Sequence, residues 1–256
     1  MLAPTRHRQL LEILNEKGSV RTAEIAEIFK VTEETVRRDF EKLEKEGALL
    51  RAHGGAIRLD APRREMPVKD RAAQNSAAKR AIAQTAARWI EPGQIIFLDP
   101  STTVQQLARV LPDQPLTVLT TSLQIPDILA GKPAIDVILL GGHVRASSQS
   151  CVGYPAELIS DLYRIDAAFI SCRGIDARDG LSEATEDQAR LKRHILNRVS
   201  SLYLLADASK ANVSSTHYFA KNSDIDIWFT DADPDPQLAK QLREQNVKIE
   251  VCPATS

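Results

Sequence analysis

The chain has 256 residues, 33 Lys/Arg against 34 Asp/Glu and a net charge of -1, which leaves room for two domains but supplies no global basic field to announce a polyanionic partner. No apolar run approaches the roughly 18 residues of a membrane span and no signal peptide opens the chain, so no membrane partner and a cytoplasmic location are expected. Cys151, Cys172 and Cys252 are odd in number and share no CxxC spacing, which predicts neither a disulfide framework nor a zinc site.

Residues 6–17 read as a first helix, with Leu10, Leu11 and Leu14 as its apolar stripe and Gly18 placed to end it. Ser19-Val20 is a short extended piece. Thr22 is placed to cap a second helix, which carries Ile25, Ala26 and Phe29 on one face. Thr32 is placed to cap a third, where Val36, Phe40 and Leu43 turn inward and Glu33 and Glu34 occupy the first turn that the helix dipole favours for acids. Only a few residues separate helices two and three, as in helix-turn-helix units. Gly47 stops helix three. Residues 48–51 and 56–58 then read as two short strands around a turn at His53-Gly54-Gly55.

Residues 1–58 are therefore expected to form a winged helix-turn-helix. Residues 1–60 hold as many acidic as basic side chains, so DNA reading must rest on where the charges lie. Thr35, Arg37, Arg38 and Lys42 turn outward on helix three, the helix whose start meets base edges. Arg37 or Arg38 would read a guanine or hold a phosphate, with Thr35 on a base methyl or phosphate beside Thr32. Arg51 and His53 on the wing would reach the neighbouring backbone or minor groove, and Arg21 is a phosphate candidate. The bland alternative is a three-helix bundle whose arginines only solvate a face. The ordered set of cap, short turn, paired arginines, glycine and wing favours DNA.

Residues 59–75 change texture: Pro62, Arg63, Arg64, Pro67, Lys69 and Arg71 predict a basic, proline-punctuated linker. From residue 76 to 256, apolar runs at 95–98, 117–119, 137–140, 167–170, 202–206 and 225–229 alternate with amphipathic stretches at 79–90, 103–111, 186–199 and 236–245. That pattern predicts an α/β domain with a largely parallel sheet, in which ligands bind beyond the carboxyl ends of the strands. Loops rich in small and polar residues follow those strands. Asp99-Pro100-Ser101-Thr102-Thr103 precedes a helix and forms a ready anion cradle. Thr120-Thr121-Ser122 repeats it, and Gly141-Gly142, Gly174-Ile175-Asp176, Gly180-Leu181-Ser182-Glu183 and Asp207-Ala208-Ser209-Lys210 complete the series. A Ser/Thr turn before a helix can equally be a plain cap, Asp207 a turn cap and Lys210 a solvated lysine. Repetition at successive strand ends favours a site. Arg173 is a second anion contact or a surface ion pair. His143, His194 and His217 lack metal spacing, although His143 and Arg145 are placed to edge the pocket. Cys151 and Cys172 read as small buried residues. No metal and no cofactor are expected.

Thr35-Val36-Arg37-Arg38-Asp39-Phe40-x-x-Leu43-x-x-x-Gly47, followed by Arg51-Ala52-His53-Gly54-Gly55-Ala56, resembles the signature of the DeoR/GlpR family of bacterial transcriptional regulators, and the likeness extends over nearly the whole chain. The resemblance implies a sensor domain of the ribose-phosphate isomerase and CoA-transferase type that binds phosphorylated sugars. It implies that Ser101, Thr102, Thr103 and Lys210 hold phosphate, that Asp99, Asp176, Glu183 and Asp207 meet sugar hydroxyls or order the loops, and that Asp39 ties its helix to a neighbouring arginine or backbone group. The chain departs from the family at Ser101, where glycine is usual, at Thr121, where asparagine is usual, and at Cys172-Arg173. The Asp-x-Ser-Thr-Thr and Ser-Cys-x-Gly-Ile-Asp stretches resemble fucose-type members and tilt towards a deoxysugar phosphate. The expected function is a repressor of a sugar catabolic operon, not an enzyme, binding double-stranded operator DNA as a dimer or larger homo-oligomer. Its two readers would span half-sites about 34 Å apart or a multiple of that. The rival is a sugar-phosphate isomerase or transferase carrying a DNA-binding module, with Glu183 as base and Asp99 or Asp207 as partner.

Overall fold

The computed structural model describes residues 3–17, 19–45, 48–52, 54–58 and 66–252. The chain divides into two compact units, Met1–Ala61 and Pro62–Ser256. Gly18, Gly47, His53 and the stretch 59–65, with Pro62, Arg63 and Arg64, lie outside the described residues.

In the first unit α1 (Ala3–Lys17), α2 (Thr22–Phe29) and α3 (Glu33–Lys45) pack with an antiparallel sheet of β1 (Ser19–Arg21), β2 (Leu49–Ala52) and β3 (Gly55–Arg58), in the order β1-β3-β2. The extended piece at Ser19-Val20 is thus a third strand. It lies so close to β3 that a side chain at Gly55 would put its Cβ 2.1 Å from the Val20 carbonyl oxygen, a space only glycine leaves. Thr32 caps α3 as expected, its hydroxyl accepting the Thr35 amide at 3.3 Å. Thr22 does not cap α2: it is that helix's first residue, and its amide donates to the Gly54 carbonyl at 2.9 Å, so backbone from the wing turn serves the helix start. Lys30 ends α2 in the left-handed region at φ 53° and turns the chain towards α3. Leu10, Leu14, Ile25, Phe29, Val36, Phe40, Leu43 and Leu49 form one core. Full burial of a side chain such as Phe40 contributes about 1.5–3 kcal/mol.

The second unit opens with α4 (Val68–Ala73) and α5 (Ser76–Ala86). It continues with β4 (Ile95–Leu98), α6 (Thr102–Val110), β5 (Leu116–Thr120), α7 (Ile125–Leu129), β6 (Ile135–Leu139), β7 (His143–Arg145), β8 (Ser150–Val152) and α8 (Tyr154–Ser160). Next come β9 (Ile165–Ile170), β10 (Gly174–Asp176), β11 (Gly180–Glu183), α9 (Glu186–Leu196), β12 (Val199–Leu205), β13 (His217–Ala220), β14 (Ile227–Thr230), α10 (Pro236–Glu244) and β15 (Lys248–Val251). Among the described residues, seven strands form one fully parallel sheet in the order β15-β14-β12-β9-β4-β5-β6. Alternate side chains feed cores on its two faces: Phe97 and Trp228 point to one, Ile96, Leu98 and Phe229 to the other. Burial on both faces explains the unbroken apolar runs. Beside it, β10, β11 and β13 form a small antiparallel sheet, and β7 and β8 a hairpin.

The sheet order reverses between β4 and β9, and the crevice at such a switch point is where parallel sheets bind ligands. The expected linker is corrected over its second half. Val68 is buried, its amide donates to the Ser147 carbonyl at 2.9 Å, and residues 66–75 belong to the second unit. An apolar anchor outweighs the basic, proline-marked composition there.

Candidate functional site

On the first unit, α3 presents Arg37 and Arg38 to solvent with side chains 60% and 77% exposed. Each is held by a glutamate one turn earlier, Arg37 Nη2 on Glu33 at 3.1 Å and Arg38 Nε on Glu34 at 3.2 Å. Exposed pairs at this spacing are worth about 0.3–0.5 kcal/mol, so a phosphate can take these arginines at small cost. The hydroxyls of Thr32 and Thr35 lie 2.9 Å apart beside them, and Arg21 and Lys42 are exposed. Arg51 reaches Glu44 at 2.8 Å and Glu41 at 2.9 Å, and its amide donates to Glu44 at 3.0 Å. It therefore pins the wing strand to α3. Thr22, Arg37, Phe40, Arg51 and Gly54 line a shallow hollow between helix and wing.

Asp39 faces the other way. It accepts from Arg6 Nε at 2.5 Å and Nη2 at 3.0 Å and lies 2.8 Å from His7 Nε2. Burial opposes its charge, yet the hydrogen bonds from Arg6 and His7 outweigh that and hold its carboxyl below the usual carboxylate value. The tie that the resemblance implied is a clamp between α1 and α3.

In the second unit Asp99 follows β4 at the switch point and is fully buried. Its Oδ1 accepts the Ser101 amide at 2.9 Å, and its Oδ2 accepts the Ser171 amide at 2.9 Å and the Lys192 ammonium at 2.8 Å. Lys192 comes from α9 and also donates to the Ser171 carbonyl at 2.7 Å and to Glu183 at 2.6 Å. Burial disfavours its charge, but Asp99 and Glu183 outweigh it and raise its pKa. One ammonium thus joins the loops after β4 and β9 to the end of β11.

Around this knot lies a pocket lined by Ser101, Thr102 and Thr103 at the start of α6, Ser171, Cys172 and Arg173 after β9, Glu183 at the end of β11, and Asp207 and Lys210 after β12. Arg71, Gln74, Asn75 and Lys79 close it. Ser101 caps α6, its hydroxyl accepting the Val104 amide at 3.3 Å. Lys79 donates to the carbonyls of Arg71 at 2.5 Å and Gln74 at 2.6 Å, acceptors that leave its charge uncancelled. Burial pushes Lys79 down to about 8 against the attraction of Asp207, with smaller pushes from Lys210 and Arg71. Burial also lowers Lys210, opposed by Asp207 and helped by Arg173 and Arg71, and lowers Arg173, helped by Arg71 and opposed by Glu183. Burial raises the Cys172 thiol to about 12, which keeps it inert. A second pocket shares Arg71, Ser101, Arg173 and Glu183 and adds Met66, Ser148, Gln188 and Lys192 to its walls.

Six expected site residues line neither pocket. The Thr121 carbonyl accepts the Cys151 amide at 2.8 Å and Ser122 bridges to Ser150, so the β7–β8 hairpin covers that loop. The Ser122 hydroxyl accepts the amides of Gln124 and Ile125 at the start of α7. Gly141 precedes Gly142, which sits at φ +130° with room for no Cβ beside the Val152 carbonyl. A Cβ on Gly174 would lie 2.0 Å from the Val213 carbonyl oxygen. Asp176 accepts the amides of Arg178 and Asp179 at 2.9 and 3.0 Å within the β10–β11 turn. These residues shape loops. Arg145 pairs with Asp187, and the exposed His143 lines neither pocket.

Sequence reading overlooked Arg71, Asn75, Lys79, Gln188 and Lys192. A signal existed for the lysines: each lies on the buried face of an amphipathic helix, Lys79 beside Ala78 and Ile82, and Lys192 beside Leu191 and Ile195. A lysine there needs a partner or a purpose.

The model of the DeoR-like helix-turn-helix domain matches residues 6–61, and that of the DeoR C terminal sensor domain matches residues 74–232. An uncharacterized HTH-type transcriptional regulator, YulB, of Bacillus subtilis is 39% identical over 253 residues, covering 99% of this chain and 98% of its own. A putative aga operon transcriptional repressor of Escherichia coli O157:H7 is 32% identical over 95% of this chain and 92% of its own. The glycerol-3-phosphate regulon repressor of Escherichia coli K12 is 29% identical over 96% and 98%. Among solved structures, ribose 5-phosphate isomerase A of Methanocaldococcus jannaschii gives a loose likeness, with a TM-score of 0.41 and 16% identity over 54% of this chain and 55% of its own. Both domain matches fall in chain order on the two units just described, and the chain belongs to the DeoR family of helix-turn-helix transcriptional regulators.

Proposed function

We propose that the chain represses a sugar catabolic operon and is released by a phosphorylated sugar bound in the second unit. The observation that carries this is the crowding of Arg71, Lys79, Arg173 and Lys210 around one pocket at the switch point, where burial, only partly offset by Asp207 and Glu183, lowers three of their pKa values. A phosphate dianion would offset the rest. Thr102, Thr103 and the start of α6 supply neutral donors for it, and Ser101, Glu183 and Gln188 face the remaining sugar. The names of the aga operon and glycerol-3-phosphate regulon repressors support the same reading. Arg37 and Arg38 would leave their glutamates for operator phosphate or guanine, with Thr32, Thr35, Lys42, Arg21 and Arg51 around them. A homo-oligomer, dimer or larger, in the cytoplasm would present paired readers to a repeated operator. The enzyme reading has less support. Asp99 and Glu183 are both committed to Lys192, which leaves neither poised as a general base.

The test is a gel shift with DNA upstream of the neighbouring genes, with and without a panel of sugar and deoxysugar phosphates. Release by one compound is expected. Binding that no compound alters would remove the sensor assignment, and turnover of a compound would revive the enzyme.

A further inference from the structure

The pocket's walls do not all come from strand ends. Met66, Arg71, Gln74 and Asn75 belong to residues 66–75, the described segment nearest in sequence to the first unit. The rest of the pocket hangs on the parallel sheet and its fully buried Asp99. This segment is attached by the buried Val68 side chain and by a few polar ties. The Val68 amide reaches the Ser147 carbonyl at 2.9 Å, Lys79 holds the carbonyls of Arg71 and Gln74, and Asn75 Nδ2 donates to Asp207 at 3.0 Å. Asn75 sits in the left-handed region at φ 50°, the bend between α4 and α5. The Arg71 Nε bonds back to the Met66 carbonyl at 3.0 Å, within its own segment. Arg71 lines the same pocket as Arg173, Lys210 and Lys79, whose charges repel it, and as Glu183 and Asp207, whose charges attract it.

We infer that Arg71 is itself an anion-binding residue, which makes segment 66–75 the movable wall through which occupancy of the pocket reaches the chain leading to the DNA-reading unit. Without an anion, the cations opposite Arg71 are only partly offset by Asp207 and Glu183, and their repulsion disfavours a close approach of this wall. An anion between Arg71 and the cations opposite turns that repulsion into a bridge and draws the wall in. Ligand then favours one position of the segment because it touches Arg71 only there, which is the differential affinity a switch requires. The inference rests on the anion pocket proposed above and adds a direction of travel.

The test is amide hydrogen exchange on the full chain, with inorganic phosphate as probe and chloride at matched ionic strength as control. Phosphate should slow exchange at 99–103 and 207–210 and, together with them, at 68–75. Arg71→Ala should bind phosphate about tenfold more weakly, the loss expected for one charge-assisted contact, and Arg71→Lys should fall between. In Arg71→Ala, any protection that remains should be confined to 99–103 and 207–210. Protection of those loops without 68–75 in the parent protein would overturn the inference while leaving the anion pocket standing. So would phosphate binding by Arg71→Ala equal to the parent. No protection anywhere would remove the pocket and the inference together.

Discussion

In the first unit Arg37 and Arg38 face water beside a glutamate apiece, while in the second Lys79 is buried, Arg173 and Lys210 are half-buried, and all three line one pocket. The first set is neutralised and loosely held, so binding is an exchange of one weak partner for a stronger one. The second set is crowded, with Asp207 and Glu183 offsetting part of its charge, so the proposed anion would bind by relieving what remains. The difference explains why net charge was uninformative. Neither site needs a basic excess over the whole chain, and each depends on which charges stand next to one another.

The comparison is open to attack in order of expected effect. Lys192→Ala leaves Asp99 buried without its cation, and such a loss costs about 3–5 kcal/mol. A thermal melt should show the second unit destabilised by that order, and a melt like the parent's would mean that water reaches the knot. Arg37→Ala with Arg38→Ala should weaken operator binding about a hundredfold, given 1–3 kcal/mol per base or phosphate contact, without moving phosphate binding. A gel shift that looks like the parent's would take α3 off the DNA. Lys210→Ala should weaken phosphate binding about tenfold by calorimetry, and an unchanged constant would exclude it from the pocket.

A subtler effect comes from Lys79, held near 8 against 10.5 for a free lysine. Between those values the unfolded chain binds the more protons, so this group's contribution to stability rises with pH across that window. An anion restores the ammonium. Phosphate binding should therefore take up a proton above about pH 8 and weaken as pH rises through that value. Calorimetry in buffers of different ionisation enthalpy reads the proton, and buffer-independent heats would contradict the crowded-cation picture. Smallest of all, Glu33→Gln with Glu34→Gln should tighten operator binding about two- to fivefold by removing the competing partners. Looser binding would mean that these glutamates orient the arginines.

The first unit was legible almost throughout because its signals are local. Thr32 caps within its own turn, Val36, Phe40 and Leu43 repeat at helical spacing, and the paired arginines are neighbours in sequence. The parallel strands were legible because burial on both faces leaves unbroken apolar runs. The sensor pocket was legible only by halves. Asp99, Ser101, Thr102, Thr103, Arg173, Glu183, Asp207 and Lys210 sit at strand ends and do converge. Thr121, Ser122, Gly141 and Gly142 sit at strand ends too, but the β7–β8 hairpin folds over them, and nothing in their own composition announces it. Arg71 was hidden in a stretch that composition marks as linker, and Lys192 inside a helix, its three partners supplied by residues 99, 171 and 183.

The order of the sheet also sets a timetable for synthesis. Chains emerge from the ribosome N-terminus first and domains fold as they complete. The first unit has all its core residues out once β3 is made, whereas β4 gains one neighbour from β5 at 116–120 and must wait for its other, β9, until residues 165–170. The sheet's far edge is β15, next to the end of the chain. For much of translation, then, a finished reader is tethered to an unfinished sensor. Nascent chains arrested after α8, with β4 clear of the ribosome and β9 not yet made, should resist protease over α1 to β3 and be cut within β4; equal resistance in both would show that the two units fold together.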